Sequence, residues 1–311
     1  MSEDALTSRQ REVLTKAKSA FHGEDYAQAA SLLEDLYLEV QTSNLNHLLV
    51  EALYMHKEYS RARTYADDFL NSYLTNATDI RFLLTLLLRV HEFVLAHEIV
   101  AGINDTTLKR TGTDMIAGAE AEARQTTAAT IKTISKQFYH MSDLSPVQQQ
   151  ARFQAALKLP LQEFETGAKF LLLDPYLHPL FVASILEVLQ RVKEPTPVKF
   201  RWIDEQQYEV IPVQLTPLQE EPVYQQTQAT LRQQLSEQDP VAETLLSQEL
   251  RLQLTLTYPF VGRVVSDQDA WVRALIATYR GDHLVANSAV QRWQKRLDTL
   301  VNQLAANEDE N

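Results

Sequence analysis

Three stretches in the N-terminal third of the chain share one pattern: FHGEDYAQA at residues 21–29, YMHKEYSRA at 54–62 and LRVHEFVLA at 88–96. In each, a large apolar residue comes first, an acidic residue fifth, an aromatic residue sixth and an alanine ninth. The aromatic residues are 33 and 34 residues apart, and so are the alanines. A repeat of this length is one helix–turn–helix unit that stacks on its neighbours, so the spacing predicts three such units. Three unrelated hairpins of similar length would not be expected to align their alanines.

The pattern resembles the second half of the tetratricopeptide repeat (TPR). In that family the aromatic residue lies at the turn and packs under the next unit, and the alanine lets the two helices approach closely. The resemblance implies these roles for the packing markers Tyr26, Ala29, Tyr59, Ala62, Phe93 and Ala96. It covers roughly residues 8–105. The units are degenerate, because the early tryptophan of the family is replaced by Val13, Asn46 and Ile80.

Composition favours a folded helical protein and disfavours several classes of partner. The 311 residues are 45% hydrophobic and 23% charged, as in folded domains, and include only 7 glycines. Scarce glycine argues against phosphate-cradling loops. The net charge of -12 disfavours nucleic acid and anionic membranes, and the absence of cysteine excludes disulfides and thiolate chemistry. The polar start MSEDALTSRQ lacks the plan of a signal peptide, and the apolar run 82–88 is too short to span a bilayer. These features predict a cytoplasmic protein.

Two segments interrupt the helical pattern. Residues 106–118 (TTLKRTGTDMIAG) are polar and hold two of the 7 glycines, which predicts a break. Residues 198–203 and 208–215 alternate apolar and polar side chains, which predicts a β-hairpin with Pro212 at an edge or bulge.

The predicted fold is mainly α: an α-solenoid of TPR-like helical hairpins, a short β-hairpin insertion and a helical C-terminal module. The expected segments are three degenerate repeats (1–105), a polar break (106–118), further stacked helices (119–194), a proline-bracketed β-hairpin (195–222), a helical C-terminal module (223–305) and an acidic tail (306–311). The phrases LLLDPYLHPLFVASILEVL (171–189) and LTLTYPF (254–260) look like uncharacterised TPR-type proteins of low-GC Gram-positive bacteria, a resemblance that implies no known activity.

The sequence shows no catalytic, metal or cofactor motif. His91 and His97 are six residues apart, whereas a helical zinc site needs two histidines four apart. No serine lies in a glycine-flanked elbow, and no glycine-rich phosphate loop is present. We therefore expect a protein that is not an enzyme and has no cofactor.

The resemblance also implies a concave groove lined by the first helix of each unit. Projecting the repeat onto those helices gives Leu14, Lys18, Phe21, His22, His47, Glu51, Tyr54, Met55, Arg81, Thr85 and Arg89. This mixture of apolar and basic residues suits an extended or helical peptide with acidic groups. An equally weighted alternative is that the chain's own segment 119–141 fills the groove. The carboxylate clamp found in some family members is missing, because its positions hold Leu14, Lys18, Leu48, Thr78 and Phe82.

The sequence thus predicts a non-catalytic adaptor that binds an unidentified protein or peptide through this groove. The alternative function is a small-molecule or peptide sensor whose ligand closes two helical halves around the β-hairpin.

Overall fold

The computed structural model describes residues 6–235, 239–282 and 289–305, and the expected acidic tail at 306–311 lies outside them. The chain is mainly helical, with one two-stranded antiparallel sheet among the described residues. It divides into a first unit, residues 1–123, and a second unit, residues 124–311. Each unit is described by itself.

The first unit consists of three helical hairpins followed by a longer helix. Its helices are α1 (Ser8–His22), α2 (Tyr26–Glu39), α3 (Ser43–Met55), α4 (Tyr59–Asp68), α5 (Ala77–Arg89), α6 (Phe93–Gly102) and the greater part of α7 (Thr106–Thr126). A 3-10 turn at Leu70–Leu74 joins α4 to α5. Each helix from α1 to α5 packs against the next one along the chain.

The turn within each of the three hairpins is the same. Glu24, Lys57 and His91 adopt the left-handed conformation, with φ of 62°, 65° and 62°. In each turn the following N–H donates to a carbonyl five residues earlier at 2.9 Å, in the pairs Asp25 to Ala20, Glu58 to Leu53 and Glu92 to Leu87. This hydrogen bond is the one that closes a Schellman motif at a helix C-terminus. The acidic residue of the sequence pattern is therefore the residue whose N–H closes the repeated turn.

The core of the first unit is made of leucine, valine and small residues from all seven helices. Ala29, Ala62 and Ala96 are fully buried, as their spacing predicted. Burial of a methyl group at these positions leaves no room for a larger side chain, because protein interiors are close-packed.

The predicted break at 106–118 is wrong, since these residues form the first part of α7. Gly112 is buried within that helix, and a Cβ atom there would lie 2.7 Å from Val100 Cγ2 and 3.2 Å from Leu84 Cδ1. The glycine permits close approach of α7 to α5 and α6 instead of ending a helix. Helix α7 ends at Thr126, so the segment 119–141, named above as a candidate to fill the groove, is divided between α7, α8 and the residues that follow α8.

The second unit contains the last residues of α7 and nine further described helices. These are α8 (Ala128–Tyr139), α9 (Pro146–Ala156), α10 (Leu161–Leu171), α11 (Pro179–Arg191), α12 (Pro222–Leu235), α13 (Pro240–Leu256), α14 (Val261–Val264), α15 (Gln268–Arg280) and α16 (Ala289–Ala305). Helix α8 packs on α9 and α10, whereas α12, α13, α15 and α16 pack on one another. The two groups meet where α11 contacts α13 and where α16 contacts α9.

The β-hairpin is present but shorter than predicted. Strand β1 (Val198–Arg201) pairs antiparallel with β2 (Gln207–Val210), with Val198 opposite Val210 and Arg201 opposite Gln207. The second strand does not continue to residue 215, because Pro212 has no N–H to donate to a sheet and instead begins the 3-10 turn Pro212–Gln214.

Helix starts in the second unit follow the local sequence. Ser145 forms a capping box with Gln148, and Pro146 is the first residue of α9. The His178 side chain accepts a hydrogen bond from the Leu180 N–H and caps α11, which begins at Pro179.

Candidate functional site

The candidate groove residues on α3 and α5 lie next to one another. The Tyr54 ring is 5.1 Å from the Tyr59 ring and meets the Phe82 ring edge-on at 5.4 Å, centroid to centroid. The Arg89 guanidinium lies 5.9 Å from the centroid of the Tyr59 ring, within the range of a cation–π contact. A hydrogen bond with the Tyr54 side chain raises the pKa of the Arg89 guanidinium. We call Tyr54, Tyr59, Phe82 and Arg89 the aromatic cluster; its three rings are half-buried and Arg89 is exposed.

His47 is held by its neighbours. Its ring stacks on Tyr73 with centroids 3.9 Å apart, and its Nε2 lies 2.7 Å from Ser72 Oγ. Burial lowers the pKa of His47, outweighing the Asp79 carboxylate 3.8 Å from its Nδ1. These contacts tie α3 to the 3-10 turn and to the first turn of α5, which is a structural role.

The other candidates on α3 and α5 are more accessible. Arg81, Glu51 and Met55 are exposed. Partial desolvation of its carboxylate raises the pKa of Glu51. The Thr85 hydroxyl donates to the Arg81 carbonyl at 2.8 Å and so is used within its own helix. Arg81 on α5 therefore offers a charged side chain, and Met55 on α3 an apolar one, near the aromatic cluster.

The candidates on α1 have contacts within the first hairpin. The Phe21 ring meets the Tyr26 ring edge-on at 5.3 Å, the counterpart of the Tyr54–Tyr59 contact one repeat later. His22 Nδ1 lies 2.6 Å from the Lys18 carbonyl oxygen, and the Lys18 side chain is half-buried. Leu14 is buried and belongs to the core.

The aromatic packing markers differ in burial. Tyr26 and Tyr59 are half-buried, whereas Phe93 is only 1% exposed. In the third hairpin the position equivalent to Phe21 and Tyr54 holds Leu88, and the Phe93 ring instead meets the His91 ring edge-on at 5.5 Å. The aromatic contact between the first and sixth positions of the pattern is thus confined to the first two hairpins.

Sequence reasoning missed a buried polar network between the first two hairpins. The Asn46 amide donates to the Tyr37 hydroxyl at 3.0 Å and to the Tyr65 carbonyl at 2.7 Å, and its oxygen accepts from the Tyr73 hydroxyl at 2.8 Å. The Tyr37 hydroxyl donates in turn to Asp68 at 2.9 Å. Burial raises the pKa of Tyr37 to about 12 and moves that of Tyr73 higher still. The signal was present at Asn46, a polar residue at a position where the family has a large ring.

Ion pairs also join neighbouring hairpins. Arg63 on α4 donates from Nε to Glu92 at 2.7 Å, and Glu92 is the acidic residue of the third repeated turn. Arg61 pairs with Glu34 on α2 and with Glu58 in the second repeated turn. Two of the three acidic residues of the pattern, Glu58 and Glu92, thus accept charged hydrogen bonds in addition to closing turns.

Searches of known protein families, of curated proteins and of solved structures find no match to this chain. Within the described part of the chain, no three His, Asp or Glu side chains are grouped so that they could hold a metal ion. No described helix combines the length and apolar character required to cross a membrane.

Proposed function

We propose that the first unit is a degenerate TPR-like solenoid and that it works as a non-catalytic adaptor for an acidic, partly apolar peptide segment of another protein. The observation that carries this proposal is the aromatic cluster, which α3, α4 and α5 form together, with exposed Met55 on α3 and exposed Arg81 on α5. Tyrosine and arginine dominate the binding energy of protein interfaces, because they bury much area and pair with polar groups.

Charge supports the acidic character of the partner. The chain carries a net charge of -12, yet the candidate groove contributes three cations, Lys18, Arg81 and Arg89, and one acid, Glu51. A basic surface attracts acidic partners and steers them toward it. The acidic remainder of the protein repels the same partners, so they bind at the basic surface.

A random peptide library displayed on phage and selected on the full-length protein tests the proposal. We expect the enriched peptides to contain acidic residues beside aromatic or aliphatic ones. The double variant Lys18→Glu/Arg81→Glu should lose binding of those peptides, and melting curves verify that it is folded.

The matched control is Lys109→Glu/Arg110→Glu, which makes the same change of charge at two exposed residues of α7. It should bind the selected peptides as the unaltered protein does. If the groove variant and the control bind alike, the candidate groove is not the binding surface. The alternative function, a small-molecule or peptide sensor whose ligand closes two helical halves around the β-hairpin, stays a prediction.

A further inference from the structure

The second unit contains a cavity of 540 Å³ beside the β-hairpin, a volume within the range of small-ligand sites. Four parts of the unit form its walls: the start of α9, the chain before α11, the turn of the hairpin and one face of α16. The ionisable side chains of its lining include Asp174, His178, Arg201, Glu205 and Arg296.

Hydrogen bonds between the walls give the cavity a defined shape. His178 Nε2 donates to the Leu300 carbonyl at 3.1 Å, which joins the start of α11 to α16. The Arg296 guanidinium donates to the Ile203 carbonyl, which joins α16 to the hairpin turn. The Arg201 N–H donates to the Leu172 carbonyl at 2.7 Å, which joins β1 to the end of α10. The cavity is therefore formed before any ligand arrives.

Two arginines and one loosely bound acid lie at this cavity. Glu205 Oε2 is 3.6 Å from an Arg201 nitrogen, and Glu205 Oε1 is 4.0 Å from an Arg296 nitrogen. Both distances exceed a hydrogen bond, and the Glu205 side chain is 70% exposed, so these pairs contribute little free energy. One carboxylate thus already spans the space between the two guanidiniums, and an incoming carboxylate could replace it at small cost.

Two further ionisable side chains of the lining, Asp174 and His178, are engaged in hydrogen bonds of their own. Asp174 is engaged at both oxygens, accepting from the Ser142 hydroxyl at 2.6 Å and from the Tyr176 N–H at 2.9 Å. His178 uses both ring nitrogens, and burial lowers its pKa, which keeps the ring neutral. The N-termini of α9 and α11 are at the cavity through Pro146 and Pro179, and their dipoles favour negative charge.

The lining also has an apolar part, beside the polar side chains of Gln149 and Gln303. Leu144, Leu177, Val182, Trp202, Ile203 and Leu300 contribute to it. A ligand with a charged end alone would leave this surface uncovered. An apolar body attached to the charged end would bury it, which is favourable in proportion to the area removed from water.

We propose that this cavity binds a small organic carboxylate, which takes the place of the Glu205 carboxylate between Arg201 and Arg296 and packs its apolar body against α11 and α16. The ligand is either a free organic acid or the C-terminal residue of a peptide, since both present one carboxylate on an apolar body. Glu205 acts as an internal competitor that the ligand displaces. This site does not depend on the candidate groove of the first unit.

Calorimetric titration of the full-length protein with phenylacetate and with phenylacetamide tests the charge requirement. The two compounds have nearly the same shape, and only the first carries a carboxylate. We expect phenylacetate to bind about tenfold more tightly or better, as for a charged hydrogen bond gained over a neutral one. This comparison needs no variant. Equal binding of the two compounds, or no binding of either at about 10 mM, would overturn the proposal.

Variants then locate the binding. Arg201→Gln should weaken phenylacetate about tenfold and leave phenylacetamide unchanged, because one charged donor is lost. Glu205→Gln should strengthen phenylacetate about threefold, since the competing carboxylate is removed. The control Arg273→Gln alters an exposed arginine of α15 outside the cavity lining and should change neither compound. Melting curves verify that each variant is folded. Phenylacetate binding by Arg201→Gln equal to that by Arg273→Gln would place the carboxylate elsewhere and contradict the proposal.

N-acetylphenylalanine distinguishes the two sources of the carboxylate. It carries the same ring with the amide and carboxylate of a peptide end. Tighter binding than phenylacetate, lost in Arg201→Gln, supports the proposal with a peptide C-terminus as ligand. Weaker binding than phenylacetate, with the Arg201 dependence of phenylacetate intact, supports it with a free acid.

Discussion

The first and second units are both mainly helical, yet they form their turns in different ways. In the first unit the same left-handed residue and the same hydrogen bond recur at Glu24, Lys57 and His91. In the second unit that turn occurs after α11, where Lys193 has φ of 63° and the Glu194 N–H donates to the Leu189 carbonyl at 2.9 Å. It occurs again after α15, where Gly281 has φ of 74° and the Asp282 N–H donates to the Ala277 carbonyl at 2.9 Å. Its other described connections include 3-10 turns and a β-hairpin.

This difference explains why one unit is easier to predict than the other. A turn and the helices beside it involve residues within about ten positions of one another, so a repeat in the sequence shows them directly. The cavity of the second unit brings together Asp174, Arg201 and Arg296, which are far apart in the sequence. No periodic pattern marks such a contact. The comparison predicts that the first unit depends on local packing that is repeated, and that exceptions to the repeat are where it is most sensitive.

Asn46 is such an exception, and its replacement should have the largest effect. Asn46→Leu keeps a similar volume but leaves the Tyr73 hydroxyl and the Tyr65 carbonyl without their buried partner. Each unpaired buried group costs about 1–3 kcal/mol, so we expect the first unit to lose about 3 kcal/mol of stability. Hydrogen exchange read by mass spectrometry would measure this loss in α2–α4, and separates the two units.

Two further variants sharpen that test. Asn44→Leu, at an exposed position of the same helix, should change stability by less than about 0.5 kcal/mol. In the double variant Asn46→Leu/Tyr73→Phe the hydroxyl is also absent, so the combined loss should be smaller than the sum of the single losses. Additive losses would show that the network does not act as a unit.

Glycines at helix contacts give an effect of intermediate size in both units. A Cβ at Gly167 would lie 2.5 Å from Phe138 Cδ1 in the second unit, and one at Gly112 would lie 2.7 Å from Val100 Cγ2 in the first. Overpacking of this kind costs about 1–3 kcal/mol, partly offset by the better helix propensity of alanine, about 1 kcal/mol. We expect Gly167→Ala to destabilise by about 2 kcal/mol and Gly112→Ala by about 1 kcal/mol, measured by the same exchange experiment.

Gly118 on α7 is the matched control, because a Cβ there would have no neighbour within 4 Å. Gly118→Ala should stabilise the first unit by about 0.5–1 kcal/mol through helix propensity alone. If Gly112→Ala stabilises as much as Gly118→Ala does, the close approach of α7 to α5 and α6 is absent in solution.

The sequence predicted the fold where the signal was local. The three helical hairpins and the close packing of the three alanines agree with the repeat. Gly112 was interpreted as part of a break in the helical pattern, and this was wrong. Glycine is found both at helix ends and where two helices pack closely. Only the packing partner distinguishes these two roles. The early end of β2 is explained by Pro212, whose position in the strand was visible.

The candidate groove was predictable only as far as the repeat applies. Tyr54 and Arg89 meet around the ring of Tyr59, but His47, placed in the groove by its phase, is held by Tyr73 and Ser72 from the 3-10 turn. That turn follows α4, and its length does not follow from the repeated markers. The same limit applies to Asn46, whose partners come from α2, from α4 and from the 3-10 turn.

The smallest expected effect tests whether the repeated turn is the same element in both units. A non-glycine residue in the left-handed conformation costs about 1–2 kcal/mol, and glycine removes that cost while adding about 0.5–1 kcal/mol of unfolded-state entropy. Lys57→Gly should therefore stabilise the first unit, and Lys193→Gly the second, by about 0.5–1 kcal/mol each. Lys132→Gly, at an exposed position inside α8, should have the opposite sign and destabilise by about 0.5–1 kcal/mol, because glycine there loses helix propensity without relieving strain. Denaturant unfolding followed by hydrogen exchange would resolve the three signs unit by unit.

Asparagine tolerates the left-handed region better than lysine, so the stability of Lys57→Asn should fall between that of the unaltered protein and that of Lys57→Gly. If Lys57→Gly and Lys132→Gly shift stability in the same direction, residue 57 is not left-handed in solution. The three hairpins would then not share the same turn.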